Sequence, residues 1–197
     1  MQDETKIMSY FNKTERGYFE ELETRMGEMD FAGTDGDAAA LPNLGELCKK
    51  YNQIKGTLEL ALKGIEKIPF IGKKVAKAVR FLMSVADFAC SGSGGEELTS
   101  ADEAVSNTGS EISLSLDQIA AFESLDTAIN STSNFGLMDS DMAALNFDKN
   151  AICAEYRKVR KFIKPVLDTI SVFLPGAVIA AIKLLMAIAD SICGGDN

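Results

Sequence analysis

Two segments of the sequence begin and end in cysteine and repeat each other, and this repetition restricts the folds open to the chain. The first segment covers residues 48–90 and the second covers residues 153–193. Each has a tyrosine three residues after its first cysteine and an aspartate three residues before its last one. Each is interrupted near its middle by a proline and a glycine, namely Pro69 with Gly72 and Pro175 with Gly176.

The repetition continues upstream of both segments. Residues 31–42 read FAGTDGDAAALP and residues 135–146 read FGLMDSDMAALN, so both contain an Asp-x-Asp pair shortly before Ala-Ala-Leu. Further back, FEELET from Phe19 matches FESLDT from Phe122. A repeat of this length indicates a duplicated domain rather than a short solenoid unit. We therefore predict a first repeat over residues 1–97, a linker over 98–110 and a second repeat over 111–197.

Apolar residues within the cysteine-bounded segments recur at helical spacing. In the first segment they are Ile54, Leu58, Ala61, Leu62 and Ile65 before the break, and Val75, Val79, Leu82, Met83 and Ala86 after it. This predicts helices from about residue 48 to 67 and from about residue 72 to 90, which a short turn makes antiparallel. A leading amphipathic helix is predicted before each hairpin, over residues 3–28 and from Ser115 or Asp117 to about Ile129. Because runs of period two are absent, we predict an all-α, internally duplicated helical bundle.

An antiparallel hairpin brings its terminal cysteines together at its open end, where a disulfide can form without backbone strain. Four cysteines allow three pairings, and the duplication favours Cys48–Cys90 and Cys153–Cys193. Each bond would stabilise the fold by roughly 3–4 kcal/mol on the chain-entropy model. The alternative interpretation is four buried free thiols in a cytosolic protein.

Disulfides are typical of oxidising compartments, so the sequence favours a secreted or extracellular protein. Asn12 and Asn130 each begin an Asn-x-Thr sequon and are candidate glycosylation sites. The numbered sequence opens with charged residues and lacks the apolar stretch of a signal peptide. Export would therefore use a leader removed before this numbering, or another route.

The formal net charge of −9 is unevenly distributed along the chain. Acidic groups outnumber basic groups in residues 1–47 and 92–152, whereas basic groups outnumber acidic groups in residues 48–91 and 153–197. This pattern predicts that the acidic leading segments pack near the basic hairpins. A chain this acidic is not expected to bind nucleic acid.

Few residues are candidates for chemistry. The chain has no histidine, which is the commonest general base and a frequent metal ligand, and no familiar catalytic or nucleotide-binding motif. We predict no catalytic residue, no cofactor and no metal. The Asp-x-Asp pairs could bind a hard cation, but capping of a short helix is the favoured interpretation; these residues are Asp35, Asp37, Asp139 and Asp141.

Two further aspartates, Asp87 and Asp190, lie in apolar stretches near predicted helix C-termini, where the helix dipole disfavours an anion. Arg80 and Lys183 precede them by seven residues on the same helix face. We predict that these four residues take part in structural ion pairs, or that the aspartates bind the backbone of the other copy, with a functional carboxylate as the alternative. Tyrosines at the start of both hairpins are expected to pack with their hydroxyls at the rim of the core.

The second hairpin is strongly apolar over residues 169–189, but Pro175-Gly176 and Lys183 interrupt it. Neither half reaches the roughly 20 residues that span a bilayer, so a buried hairpin is favoured over a membrane-inserted one. The sequence predicts a secreted, non-enzymatic binding or structural protein that carries a lipid or other apolar ligand between its repeats, or that binds a protein partner or itself. The first alternative is a membrane-active protein, pore-forming or lipid-binding, that deploys its apolar hairpins. The least favoured alternative is an enzyme that uses carboxylates only.

Overall fold

The structure, a computed structural model, describes residues 11–29, 43–90, 114–131 and 149–194. Within these ranges the chain forms six α-helices and no strand, which confirms the all-α prediction for this part of the chain. The helices are α1 Lys13–Gly27, α2 Leu44–Ile65, α3 Gly72–Cys90, α4 Leu116–Asn130, α5 Lys149–Ile170 and α6 Gly176–Cys193. The predicted linker and both Asp-x-Asp pairs lie outside the described residues.

Side-chain caps determine where both leading helices begin. The Asn12 side chain accepts the N–H of Glu15 at 2.9 Å, and the Glu15 carboxylate accepts the N–H of Asn12 at 2.8 Å. Ser115 and Gln118 form the same reciprocal arrangement at the start of α4. Such a capping box satisfies N–H groups that have no partner inside the helix. Phe11 and Asn12 are therefore not helical, and the prediction of one helix through residues 3–28 is wrong at these two positions.

Both cysteine-bounded segments form antiparallel helical hairpins. The first consists of α2, a turn over residues 66–71 and α3, and the second consists of α5, a turn over 171–175 and α6. Disulfides join Cys48 to Cys90 and Cys153 to Cys193, with Cα atoms 5.5 Å and 5.0 Å apart. These are the two pairings that the sequence favoured. Each disulfide closes its hairpin at the end opposite the turn.

The two hairpins and the two leading helices form one bundle. Helix α1 packs on α2, and α4 packs on α5. Helices α3 and α6 pack against each other; α3 also contacts α4 and α5, while α6 also contacts α1 and α2. A continuous cluster of buried apolar side chains runs through all six helices. Helices α3 and α6 therefore occupy the middle of the bundle.

Lysines of the first hairpin bind acidic residues of both leading helices. Lys67 pairs with Glu15 of α1, and Lys74 pairs with Glu123 of α4. Lys77 lies 3.5 Å from Asp126, one turn further along α4. The predicted proximity of acidic leading segments and a basic hairpin agrees with these contacts. Because single surface ion pairs contribute at most about 1 kcal/mol, they fix the position of α4 more than they stabilise the fold.

The turn of the first hairpin depends on the absence of a side chain at Gly72. A Cβ there would collide with the carbonyl oxygen of Ile65 and lie 3.0 Å from the backbone of Glu66. Gly176 begins α6 at the corresponding place in the second hairpin, and a Cβ there would meet nothing within 4 Å. The two turns therefore differ in how closely the backbones approach each other.

We expect Gly72→Ala to destabilise the protein by about 1–3 kcal/mol, because the backbone must shift to accept the added methyl group. Gly176→Ala is the matched control and should leave stability unchanged or raise it by up to about 1 kcal/mol, since alanine favours helix over glycine. Urea unfolding followed by circular dichroism measures both effects. Equal effects of the two substitutions would contradict the close approach at Gly72.

Candidate functional site

A partly buried polar cluster lies beside the disulfide of the first hairpin. The Tyr51 hydroxyl is 2.9 Å from Oδ1 of Asp87 and 3.3 Å from the carbonyl oxygen of Met83. Because a phenol carries one proton, it donates to the nearer acceptor, Asp87. Nζ of Lys55 lies 2.7 Å from the same Oδ1. We call Tyr51, Lys55 and Asp87 the first open-end cluster.

The second hairpin contains a cluster of the same design. The Tyr156 hydroxyl is 2.8 Å from Oδ1 of Asp190, and Arg160 binds both carboxylate oxygens, with Nε–Oδ1 and Nη2–Oδ2 distances of 2.7 Å and 3.1 Å. We call these three residues the second open-end cluster. Arg157 adds a bond from Nη2 to the carbonyl oxygen of Cys193, 2.6 Å away, which satisfies an acceptor at the end of α6. Arginine makes the second carboxylate contact bidentate, and lysine makes the first a single contact.

Helix geometry places these groups together. On α2 and α5, the tyrosine and the cation are four residues apart and therefore share one helix face. Each aspartate lies one turn before the cysteine that ends its helix, where the helix dipole disfavours a negative charge. The tyrosine hydroxyl and the cation from the facing helix offset that cost. The clusters thus allow a carboxylate to remain half-buried near a helix C-terminus.

Burial and the adjoining carboxylates control the ionisation of both tyrosines. Burial first, and the Asp87 charge second, raise the pKa of the Tyr51 hydroxyl far above its usual value. Burial and Asp190 raise the pKa of Tyr156 in the same way. The hydrogen bonds to Asp190 raise the pKa of Arg160 above its usual value. At neutral pH both tyrosines are therefore protonated donors, and neither can act as a general base.

The ion pairs differ from those predicted from the sequence. Asp87 pairs with Lys55 of the facing helix, and Arg80 pairs with Glu66 at the other end of the hairpin. Asp190 pairs with Arg160 of the facing helix, while Lys183 is exposed on α6. Asp87, Arg80 and Asp190 thus take part in ion pairs with residues outside their own helices, because residues seven apart on one helix are two turns, about 10 Å, from each other. A facing helix brings a cation within hydrogen-bonding distance.

The sequence contains a signal for both clusters in the spacing of their residues from the cysteines. Tyr51 and Tyr156 are completely buried, contrary to the expectation that their hydroxyls lie at the rim. In each cysteine-bounded segment the tyrosine is three residues after the first cysteine, the cation is seven residues after it, and the aspartate is three residues before the second cysteine. In an antiparallel hairpin closed at those cysteines, such mirrored spacings place the three groups side by side.

The candidate glycosylation residues are engaged at helix ends. Asn12 caps α1 through its side-chain oxygen. Asn130 ends α4, where its Nδ2 lies 3.2 Å from Oδ2 of Asp126 and its Oδ1 accepts from Lys77. Both asparagines are exposed, and their glycosylation stays a prediction.

Within the described ranges, no group of three or more His, Cys, Asp or Glu side chains is arranged to hold a metal ion. The four Asp-x-Asp residues, Asp35, Asp37, Asp139 and Asp141, lie outside those ranges, so their capping or ion-binding role stays a prediction.

The turn of the first hairpin exposes a strained aromatic residue. Phe70 is 81% exposed, and its φ of 65° lies in the left-handed region that glycine favours. Holding a bulky residue there costs about 1–3 kcal/mol. Leu116 and Ile119 at the start of α4 are also exposed, as is Val172 in the turn of the second hairpin. Exposed apolar side chains thus occur in both turns and at the start of α4.

Among the described helices, α6 alone is long and apolar enough to cross a membrane. Half of this helix is buried inside the bundle. Buried helices at the core of soluble proteins can be equally long and apolar. The length and composition of α6 are therefore weak evidence for a membrane span.

Comparisons with known proteins provide no further guide to function. No protein-family model, no curated protein and no solved structure matches the chain. The geometry of the open-end clusters and of the exposed surfaces is therefore the guide to function.

We expect Tyr51→Phe and Tyr156→Phe each to lower the free energy of unfolding by roughly 1.5–3 kcal/mol at neutral pH, because each removes a hydrogen bond to a charged group. The raised pKa values in the folded state mean that this stabilisation is complete below about pH 10, the pKa of an unfolded tyrosine, and is lost as the pH rises above it. The difference in the free energy of unfolding between the parent protein and the double variant Tyr51→Phe/Tyr156→Phe should therefore become smaller in alkaline solution.

Urea unfolding at increasing pH, together with tyrosinate absorbance, measures this effect. All four cysteines are paired, so no free thiol is present to start disulfide exchange. Tyr18→Phe is the control, since this half-buried hydroxyl on α1 makes no hydrogen bond within the described residues. A stability difference that stayed constant into strongly alkaline solution would disprove the proposed linkage.

Proposed function

We propose that this chain is a secreted, non-enzymatic binding protein built from two copies of one stapled helical unit. The observation that carries the proposal is the pair of open-end clusters, each beside a disulfide. In both, the tyrosine hydroxyl, the carboxylate and the cation bind one another. Groups engaged in this way stabilise a scaffold and are poorly suited to act on a substrate.

Symmetry of the helix contacts supports the duplication. Exchanging α1, α2 and α3 for α4, α5 and α6 leaves the set of helix–helix contacts unchanged. The two units would then be related by a pseudo-two-fold axis between α3 and α6. Two matched clusters and two matched disulfides agree with this relation. A duplicated scaffold of this kind presents similar surfaces twice.

Disulfides in both hairpins support an extracellular setting, because such bonds persist in oxidising compartments. In the carrier form of the proposal, an apolar ligand lies where α3 and α6 face each other. Both helices are rich in apolar residues and come from different copies. A protein partner or a second copy of the chain would instead bind the outer surface.

The proposal predicts that the protein is recovered from the medium of its producing cells with all four cysteines unreactive toward an alkylating reagent. It also predicts a non-covalent apolar ligand, seen as added mass in native but not in denaturing mass spectrometry. Free thiols in cytosolic protein would rule out the secreted role. Oxidised, secreted protein without added mass would rule out only the carrier form.

A second candidate function is membrane activity, which the apolar helix α6 favours. If the hairpins enter lipid, removing the disulfide of the second hairpin should increase dye leakage from vesicles, because α6 is then less restrained. The test compares Cys153→Ser/Cys193→Ser with Cys48→Ser/Cys90→Ser, which opens the less apolar hairpin. Absence of leakage from the parent and from both variants would exclude this function.

A further inference from the structure

We propose that the turn of the first hairpin, together with the start of α4, docks the folded protein on an anionic phospholipid surface. This inference rests on the proposed binding function and specifies its partner. The docking surface consists of Phe70, Leu116 and Ile119, with the cations around them, and we call it the tip surface. No hairpin opens and no helix crosses the bilayer in this mode of binding.

The contacts between α3 and α4 place the apolar members of the tip surface at one end of the bundle. Lys74 contacts Glu123, and Lys77 contacts Asp126 further along both helices, so α3 and α4 run in the same direction. Phe70 precedes Lys74 by about one turn, just as Ile119 precedes Glu123. Leu116 lies one further turn toward the same end. Phe70 and Leu116 are 81% and 85% exposed.

Several exposed cations lie at this end of the bundle. The contact between Glu15 and Lys67 places the start of α1 beside the end of α2. Among the described residues, no ion pair involves the exposed cations of this end, which are Lys13, Arg16, Lys63 and Lys73. Asp117 is an exposed acid at the start of α4. The end of the bundle that exposes Phe70, Leu116 and Ile119 therefore also carries four exposed cations, although the whole chain carries a net charge of −9.

Shape and charge together favour a lipid surface over a protein partner. Phe70 projects from a turn between two helices, so it is a protrusion and not the wall of a groove. Aromatic and aliphatic side chains on a protrusion enter the headgroup region of a bilayer, while surrounding lysines bind anionic headgroups. The left-handed backbone at Phe70 holds the ring away from the core, so the ring is exposed to water. Burial of the ring in lipid would remove its apolar surface from water.

Tryptophan fluorescence provides a direct test because the chain contains no tryptophan. Phe70→Trp introduces a single probe at the tip surface. Lys49→Trp introduces one at an exposed position beside Cys48, at the opposite end of the hairpin. Each variant, with its disulfides oxidised, is mixed with vesicles of phosphatidylcholine alone or of phosphatidylcholine and phosphatidylserine. Leu116→Trp reports on the same surface if Phe70→Trp fails to fold.

We expect the emission of Phe70→Trp to shift to the blue, and to be quenched by brominated lipid, with the mixed vesicles only. Lys49→Trp should show neither effect. In the Phe70→Trp background, Lys73→Glu should weaken vesicle binding by roughly tenfold or more, because a charge near the membrane is reversed. Lys49→Glu is the matched control and should leave binding unchanged. Added salt should weaken binding, because it screens the headgroup charge.

Absence of a blue shift in both tip variants would overturn the inference, and so would equal shifts at the two ends of the hairpin. Dye leakage accompanying binding would also overturn it, because that result indicates insertion of a hairpin. None of these outcomes depends on where the protein is found in the cell. Failure of lipid docking is therefore distinguishable from failure of the proposed secreted role, which is judged by thiol reactivity and location.

Discussion

Closure of each hairpin at its open end is the constraint on which the rest of the structure depends. A disulfide limits how far the two helices can separate, and the open-end cluster beside it neutralises a carboxylate near a helix C-terminus. The disulfides join the last residues of α3 and α6 to the facing helices α2 and α5. Since α3 and α6 lie in the middle of the bundle, these closures restrict the position of its two central helices. The leading helices then pack against hairpins whose shape is already restricted.

Charge distribution makes the two hairpins unequal. The first supplies lysines to both leading helices, through the pairs Lys67–Glu15 and Lys74–Glu123. The second uses its arginines within its own hairpin, on Asp190 and on the last carbonyl oxygen of α6. The pairs between α3 and α4 connect the first hairpin to the helix that precedes the second hairpin. The first hairpin therefore holds both leading helices through ion pairs, whereas the second neutralises its own carboxylate and helix end.

The turns show a further difference between the hairpins. In the first, backbone contact at Gly72 is close and Phe70 adopts a left-handed conformation. In the second, Gly176 has open space and α6 follows Pro175 directly. Strain in one of two related turns is unexpected if both serve only as connections. The positive φ of Phe70 therefore distinguishes the first turn from the second.

The sequence by itself determined the helical class, the two hairpins and the cysteine pairing. These features depend on local periodicity, on Pro/Gly breaks and on ends that an antiparallel hairpin must bring together. The caps Asn43 and Ser115 are local in the same sense, because each side chain accepts an N–H group from a residue two or three positions later. The duplication and the secreted role remain proposals.

Only the tertiary structure decided the ion-pair partners, the burial of both tyrosines and the position of α4 against α3. Asp87 and Asp190 bind cations more than 25 residues away in sequence. Which cation each aspartate binds depends on the sides along which the helices pack against each other. The left-handed backbone at Phe70 likewise follows from the path that joins α2 to α3. Periodicity shows which residues share one helix face, but the packing of separate helices determines which groups meet.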